Sequence, residues 1–175
     1  MRDDAVARAA RIRLMIFDVD GILTDGSLHY GPSGEVIKTF NVLDGHGIKL
    51  LQRSGVATAI ISARKSDIVE KRAADLGIQH VYQGVHNKRA AFEKLLADTG
   101  TPQESCGFIG DDVIDLPILL RCGFAASVPN GHAEVRARVH LVTQAGGGRG
   151  AARELCDFIL RAQGNYEAVL APYLE

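Results

Sequence analysis

Short, almost uninterrupted apolar runs alternate along this chain with stretches in which apolar residues recur at helical spacing. The runs predict strands over residues 14–19, 56–61, 80–83, 107–109, 125–128 and 140–142. Between them, Ile68, Val69, Arg72 and Leu76 share one side of a helix, as do Phe92, Leu95 and Leu96. Gly55, Gly77, Gly100 and Gly123 each follow a helical stretch, where a left-handed residue ends a helix without steric penalty. Asn87 is placed to cap the helix holding Phe92. Thr101-Pro102-Gln103-Glu104 reads as a capped turn with Pro at the first helical position. Near-continuous apolar strands alternating with helices predict an α/β fold, a parallel sheet covered on both faces.

One segment breaks this rhythm. Residues 27–40 read as two short strands around Gly31-Pro32-Ser33-Gly34, a β-hairpin placed directly after the first strand. An isolated hairpin is marginally stable in water, so Leu28, Tyr30, Val36, Ile37 and Phe40 need a partner surface, in this domain or another subunit. The length of 175 residues suits one domain, taken as 1–175, with the hairpin as a flap. A net charge of −1 points to neither a nucleic-acid nor a membrane partner, and no segment is long and apolar enough to span a bilayer. Residues 1–13 lack the apolar stretch of a signal peptide and read as a short amphipathic or frayed helix. Cys106, Cys122 and Cys156 are odd in number, widely spaced and set in apolar surroundings; they predict buried free thiols and a reducing cytoplasm.

The chemistry lies in two acidic motifs. The first predicted strand runs into Asp18-Val19-Asp20-Gly21, and the fourth into Gly110-Asp111-Asp112-Val113-Ile114-Asp115. If these strands are neighbours, their carboxylates converge at one edge of the sheet, where open α/β sheets bind ligands. Converging carboxylates repel one another and call for a hard divalent cation such as Mg²⁺. Asp18 and Asp20 are two residues apart and on an extended segment point to one side. One can attack a phosphate monoester while the other handles a proton. Asp111 can complete a metal site with Asp18, while Asp112 and Asp115 orient ligands or waters behind it. Ser62 ends the second predicted strand, where its hydroxyl can hold a phosphate oxygen. Lys88 begins a helix, an unfavourable place for a cation unless an anion is near.

The order DxD, Ser, Lys, GDDxxD resembles that of the haloacid dehalogenase superfamily. The resemblance implies a Rossmann-like fold and a Mg²⁺-dependent phosphotransferase. It implies Asp18 as nucleophile and Asp20 as acid/base. It also implies Mg²⁺ held by Asp18, the Asp20 carbonyl and Asp111, with Ser62 and Lys88 on the phosphoryl group. The stretches 41–49, 61–65, 82–84 and 147–154 are similar to the small 3-deoxy-D-manno-octulosonate 8-phosphate (KDO 8-phosphate) phosphatases over about residues 13–164. That likeness implies a homotetramer acting in lipopolysaccharide biosynthesis. Leu43 stands where many relatives have Arg, and Ala63 where many have Gly.

About forty residues separate Asp20 from Ser62, too few for an inserted cap domain. The hairpin and the segment around Arg149 are the candidates to wall the site, supplied by another subunit. For a phosphorylated sugar acid, Arg64, Arg72 and Lys49 are candidate carboxylate partners. Asn41, Asp44 and Gly45 are candidates to meet hydroxyls or line the entrance. Two alternatives stand beside this reading: a phosphatase for a nine-carbon sugar acid phosphate, and a phospho-accepting receiver domain. A receiver resembles an acid pair on the first strand with the acceptor on a later one, the reverse of the order here.

Overall fold

Six parallel strands form the main sheet of the computed structural model, which describes residues 2–175; Met1 lies outside the described residues. The chain starts with α1 (Arg2–Ala9) and enters the sheet at β1 (Leu14–Phe17). The hairpin β2 (His29–Gly31) and β3 (Gly34–Ile37) follows, then α2 (Val42–Arg53) and β4 (Ala57–Ile61). Next come α3 (Asp67–Leu76), β5 (His80–Tyr82), α4 (Lys88–Thr99) and β6 (Cys106–Ile109). The chain continues through α5 (Leu116–Leu119), β7 (Phe124–Ser127), α6 (Ala133–Arg136) and β8 (Leu141–Val142), and ends with α7 (Ala151–Ala162) and α8 (Tyr166–Leu170). All six predicted sheet strands are present.

The strand order is β5-β4-β1-β6-β7-β8. The chain builds outward from β1 to β4 and β5, then returns to lay β6 on the other side of β1. The reversal falls between β1 and β6, a topological switch point. Side chains of β1 alternate between two cores, as the two-residue period of a strand requires. Met15 and Phe17 pack in the layer under α1, α2, α3 and α7. Leu14 and Ile16 face α4, α5 and α6. The sheet is therefore covered on both faces, and its central strands are apolar throughout.

Local signals held where one residue decided the geometry. Gly55, Gly77 and Gly100 take positive φ, and Asn87 caps α4 by accepting from the Ala90 amide. Cys106, Cys122 and Cys156 are buried and free. Three details differ. Gly123 has no positive φ; it is a close-approach residue, where a Cβ would stand 2.0 Å from the Glu104 carbonyl oxygen. Pro102 precedes the single 3₁₀ turn Gln103–Ser105 instead of opening it. After the second acidic motif comes not one continuous helix but a 3₁₀ turn, Val113–Asp115, followed by the short α5, because Asp112 and Asp115 close a reciprocal capping box on that turn.

Between β1 and β4 the chain holds only the hairpin and α2, and no separate cap. The hairpin forms its own two-stranded sheet, with Pro32 and Ser33 at the turn. No helix among the described residues is long and apolar enough to cross a membrane.

Candidate active site

Register places the acidic motifs side by side. Phe17 of β1 lies opposite Ile60 of β4 on one side and Ile109 of β6 on the other. Asp18, the next residue, donates its amide to the Ile109 carbonyl at 3.1 Å. Asp18, Asp20, Ser62, Arg64, Asp111 and Asp112 thus line one cleft of about 190 Å³ at the carboxyl edge of the sheet. The turn after Asp20 depends on Gly21, which has φ +85°. A Cβ there would stand 2.1 Å from Asp111 Oδ2, so only glycine lets the two acidic loops meet.

Carboxylate oxygens of Asp18, Asp111 and Asp115 come within 4.8 Å of one another. Lys88 answers part of this charge. Its ammonium is almost wholly buried, 3.0 Å from Asp18 Oδ2 and hydrogen-bonded to Asp115 Oδ1. Burial works against the Lys88 charge, but Asp18 and Asp115 outweigh it and raise its pKa above the ordinary value. Asp115 is fully buried, and its other oxygen accepts from the amides of Asp111 at 3.0 Å and Asp112 at 3.2 Å. Asp115 therefore holds both the 110–112 turn and Lys88. Asp112 is exposed, and its carboxylate accepts from the Val113 amide at 2.7 Å.

One lysine does not satisfy three acids. Burial, then the Asp115 charge, pushes Asp18 up to about 7 despite Lys88. Burial, then Asp115 and Asp112, pushes Asp111 up to about 6. Near neutral pH the cluster lacks positive charge, and its donors are all hard oxygens. Asp18 and Asp111 fit a small divalent cation such as Mg²⁺, and Asp115, already saturated, fits a supporting place behind them.

Two contributors had no legible signal in the sequence. Lys38, at the end of the hairpin, is buried and bonds Asp20 Oδ1 and Glu35 Oε1, the latter at 2.9 Å. The glycine run Gly146–Gly148 underpins the Asp20 turn. A Cβ on Gly147 would stand 1.7 Å from the Gly21 carbonyl oxygen, and the Gly148 amide donates to the Ile22 carbonyl at 2.8 Å. Arg149 next to it is exposed, 3.4 Å from Asp25.

Of the six substrate-binding candidates, only Arg64 lines the cleft. Its Nη2 donates to the Tyr30 hydroxyl at 2.9 Å and to Glu35 at 3.4 Å, and its Nε lies 3.5 Å from Asp20 Oδ2. The hairpin therefore does lie against the site. Asn41, Asp44, Gly45 and Arg72 gather instead in a small separate pocket with Leu23 and Phe40. Asn41 caps α2 by accepting from the Leu43 amide at 2.8 Å. Asp44 has a structural partner in this arrangement. It is buried and accepts from the amides of Gly150 and Arg153 at 3.3 and 2.9 Å, fastening the start of α7 to α2. Gly45 is a close-approach residue, because a Cβ there would meet Arg72 Nη2 at 2.3 Å and Leu76 at 3.0 Å. Arg72 lies over the Phe40 ring and donates to the Asn41 carbonyl at 3.4 Å. Lys49 is exposed on α2, outside both pockets.

Residues 71–155 match the model of the haloacid dehalogenase-like hydrolases. The 3-deoxy-D-manno-octulosonate 8-phosphate phosphatase of Yersinia pestis is 46% identical over 94% of this chain and 88% of its own length. The chain belongs to this phosphatase family. Solved structures agree at the level of the whole fold. A probable YrbI family phosphatase from Pseudomonas syringae superposes with a TM-score of 0.97 at 51% identity, over 99% of this chain and 98% of that one. The family member from Moraxella catarrhalis, in complex with magnesium, phosphate and KDO, gives a TM-score of 0.95 at 42% identity, over 98% of both chains. Membership in the KDO 8-phosphate phosphatases removes the receiver-domain alternative, which predicted a signalling switch and not a hydrolase.

Proposed function

We propose that this chain, as one domain over 1–175, is a Mg²⁺-dependent phosphatase that converts 3-deoxy-D-manno-octulosonate 8-phosphate to KDO and phosphate in lipopolysaccharide biosynthesis. The reading is carried by high identity along nearly the whole chain, joined to a cleft lined by Asp18 and Asp111 with the buried Lys88 paired to Asp18. Asp18 attacks phosphorus as the bond to the sugar oxygen breaks, and Asp20 gives that oxygen its proton. Water then attacks the aspartyl-phosphate. Asp20 takes a proton from the water, and the bond from phosphorus to Asp18 breaks to release phosphate. Ser62 and Lys88 hold the phosphoryl oxygens. Mg²⁺, held by Asp18, Asp111 and the Asp20 carbonyl, neutralises charge on the transferring group when bound.

The metal reading has a proton-linked consequence. In the metal-free protein Asp18 and Asp111 keep their protons up to about pH 7 and 6 respectively. Mg²⁺ must displace those protons, so its affinity falls as the pH is lowered through 7 and then 6. Thermal melts should show a large Mg²⁺-dependent stabilisation at pH 8 and little at pH 5. An equal shift at both values would contradict the assignment.

Substrate choice is tested by phosphate release from KDO 8-phosphate, a nine-carbon sugar acid phosphate and p-nitrophenyl phosphate, each with Mg²⁺. KDO 8-phosphate should give the largest kcat/KM. A higher value for the nine-carbon substrate would replace the proposed sugar. Arg64 takes the carboxylate end, with Arg72 the second candidate. Arg64→Ala should lower kcat/KM for KDO 8-phosphate at least about tenfold more than for the aryl phosphate, because a charge-assisted bidentate contact is lost. Equal losses on both substrates would reject the role.

The surface supports assembly. Leu28, Tyr30, Val36 and Ile37 are exposed on one short hairpin, apolar area that a second copy of the chain would cover. Light scattering should report an oligomer, in keeping with a tetramer, that Val36→Asp with Ile37→Asp dissociates. A monomeric, fully active wild type would reject a shared site.

A further inference from the structure

The hairpin is built inside out. Across residues 25–39, Lys38 is the one buried side chain, while its neighbours Val36 and Ile37 stand in solvent. A lysine on a two-stranded ribbon can ordinarily extend its ammonium into water along its own stem. Here the Lys38 side chain is only 1% exposed, and its ammonium is fixed between the Asp20 and Glu35 carboxylates. Withdrawing an ammonium from water costs several kcal/mol, which these two contacts offset. Nothing in the packing of a hairpin demands such an arrangement; an apolar residue would fill the space at lower cost.

The contact falls on one particular oxygen. Among the described residues, Lys38 is the only group that hydrogen-bonds the Asp20 carboxylate, and it holds Oδ1. Arg64 Nε stands 3.5 Å from the other oxygen, Oδ2, without a hydrogen bond, and the same guanidinium holds Glu35 and Tyr30 of the hairpin. Asp20 itself sits on a turn beside Gly21, and besides Lys38 only the longer Arg64 ion pair reaches its carboxylate. Glu35, three residues earlier on β3, in turn holds the Lys38 ammonium at 2.9 Å.

We propose that Lys38 is a positioning residue for Asp20: the hairpin, through the Lys38 ammonium backed by Glu35, sets the orientation in which the Asp20 carboxyl meets the leaving oxygen. This deepens the proposed function and rests on the acid/base role given there to Asp20. Lys38 is not among the residues that line the cleft shared by Asp18, Ser62 and Asp111. Its effect should therefore be confined to the proton-transfer part of the reaction.

Leaving-group dependence provides the test. The sugar alcohol leaves poorly without a proton, whereas p-nitrophenolate leaves without help. General acid catalysis is worth roughly 10²–10⁴-fold, and a misplaced acid forfeits part of that. Lys38→Met should lower kcat/KM for KDO 8-phosphate by roughly 10–100-fold and for p-nitrophenyl phosphate by less than about threefold. In the Asp20→Asn background, Lys38→Met should have no further effect, because the two residues act as one unit. Glu35→Gln combined with Lys38→Met removes both buried charges together. It should show the same substrate contrast and guards against misfolding from an unpaired Glu35. Equal losses on both substrates in the two Lys38 variants, or an undiminished Lys38→Met effect in the Asp20→Asn background, would overturn the proposal and leave the role of Asp20 standing. An Asp20→Asn protein that retains full activity on KDO 8-phosphate would overturn both.

Discussion

Asp18→Asn should abolish phosphate release while leaving the protein at least as stable as wild type in the absence of metal. The amide matches the carboxyl in size, so the β1 edge and its bond from the Asp18 amide to Ile109 are kept. It is a far poorer nucleophile, and the covalent step goes with it; the expected loss in kcat is at least about 10³–10⁴-fold. The stability half follows from electrostatics. Burial and the Asp115 charge push Asp18 up to about 7, so in the folded protein its neutral form is favoured relative to the unfolded chain. A carboxyl raised in this way supports folding at acid pH and loses that support as the pH rises through about 7. Asn is neutral throughout, so the melting temperature of the variant in chelator should equal or exceed wild type at pH 8. Near-normal turnover in protein shown by mass to be free of deamidation would sink the covalent mechanism.

Lys88→Met should damage both function and fold. The side chain is almost fully buried, and its ammonium separates Asp18 from Asp115. Removing it leaves two carboxylates facing each other out of water. Breaking one side of a buried ion pair costs about 3–5 kcal/mol. In chelator at pH 8 the variant should lose that much by denaturant unfolding. The loss should shrink towards pH 5, because Asp18 then takes a proton and the repulsion disappears. Activity should fall at least about a thousandfold, since a preorganised cation at a phosphoryl group is worth several kcal/mol in the transition state. A variant equally destabilised at pH 5 and pH 8 would show that Lys88 acts by packing against Phe108, 5.8 Å from its ammonium, and not by charge.

Much of this site was readable before any tertiary information, for a local reason. Asp18 stands directly beyond, and Asp111 one residue further from, runs that are apolar at every position, and such runs have nowhere to go but the centre of a sheet. A polar residue at the end of a buried strand must lie at its edge. Asn41 and Asp44 were less legible for the opposite reason. An Asx residue at a helix start can meet either a substrate or a backbone amide, and composition does not distinguish them. Asp44 meets the amides of Gly150 and Arg153, about a hundred residues away in sequence. Lys38 was invisible because a lysine near the end of a short exposed hairpin normally reads as protection of an edge strand.

The sequence by itself determined the elements, the carboxyl edge on which the acids lie and, through likeness along nearly the whole chain, the family. Periodicity and strand-end chemistry are properties of neighbouring residues, so they survive without coordinates. Only the tertiary structure decided that β6 lies beside β1, that Asp115 and Lys88 are buried together, that Arg64 enters the cleft while Arg72 rests on Phe40, and that the hairpin grips Asp20 through Lys38. Those outcomes depend on which side chains lose contact with water, and that is fixed by residues distant in the chain.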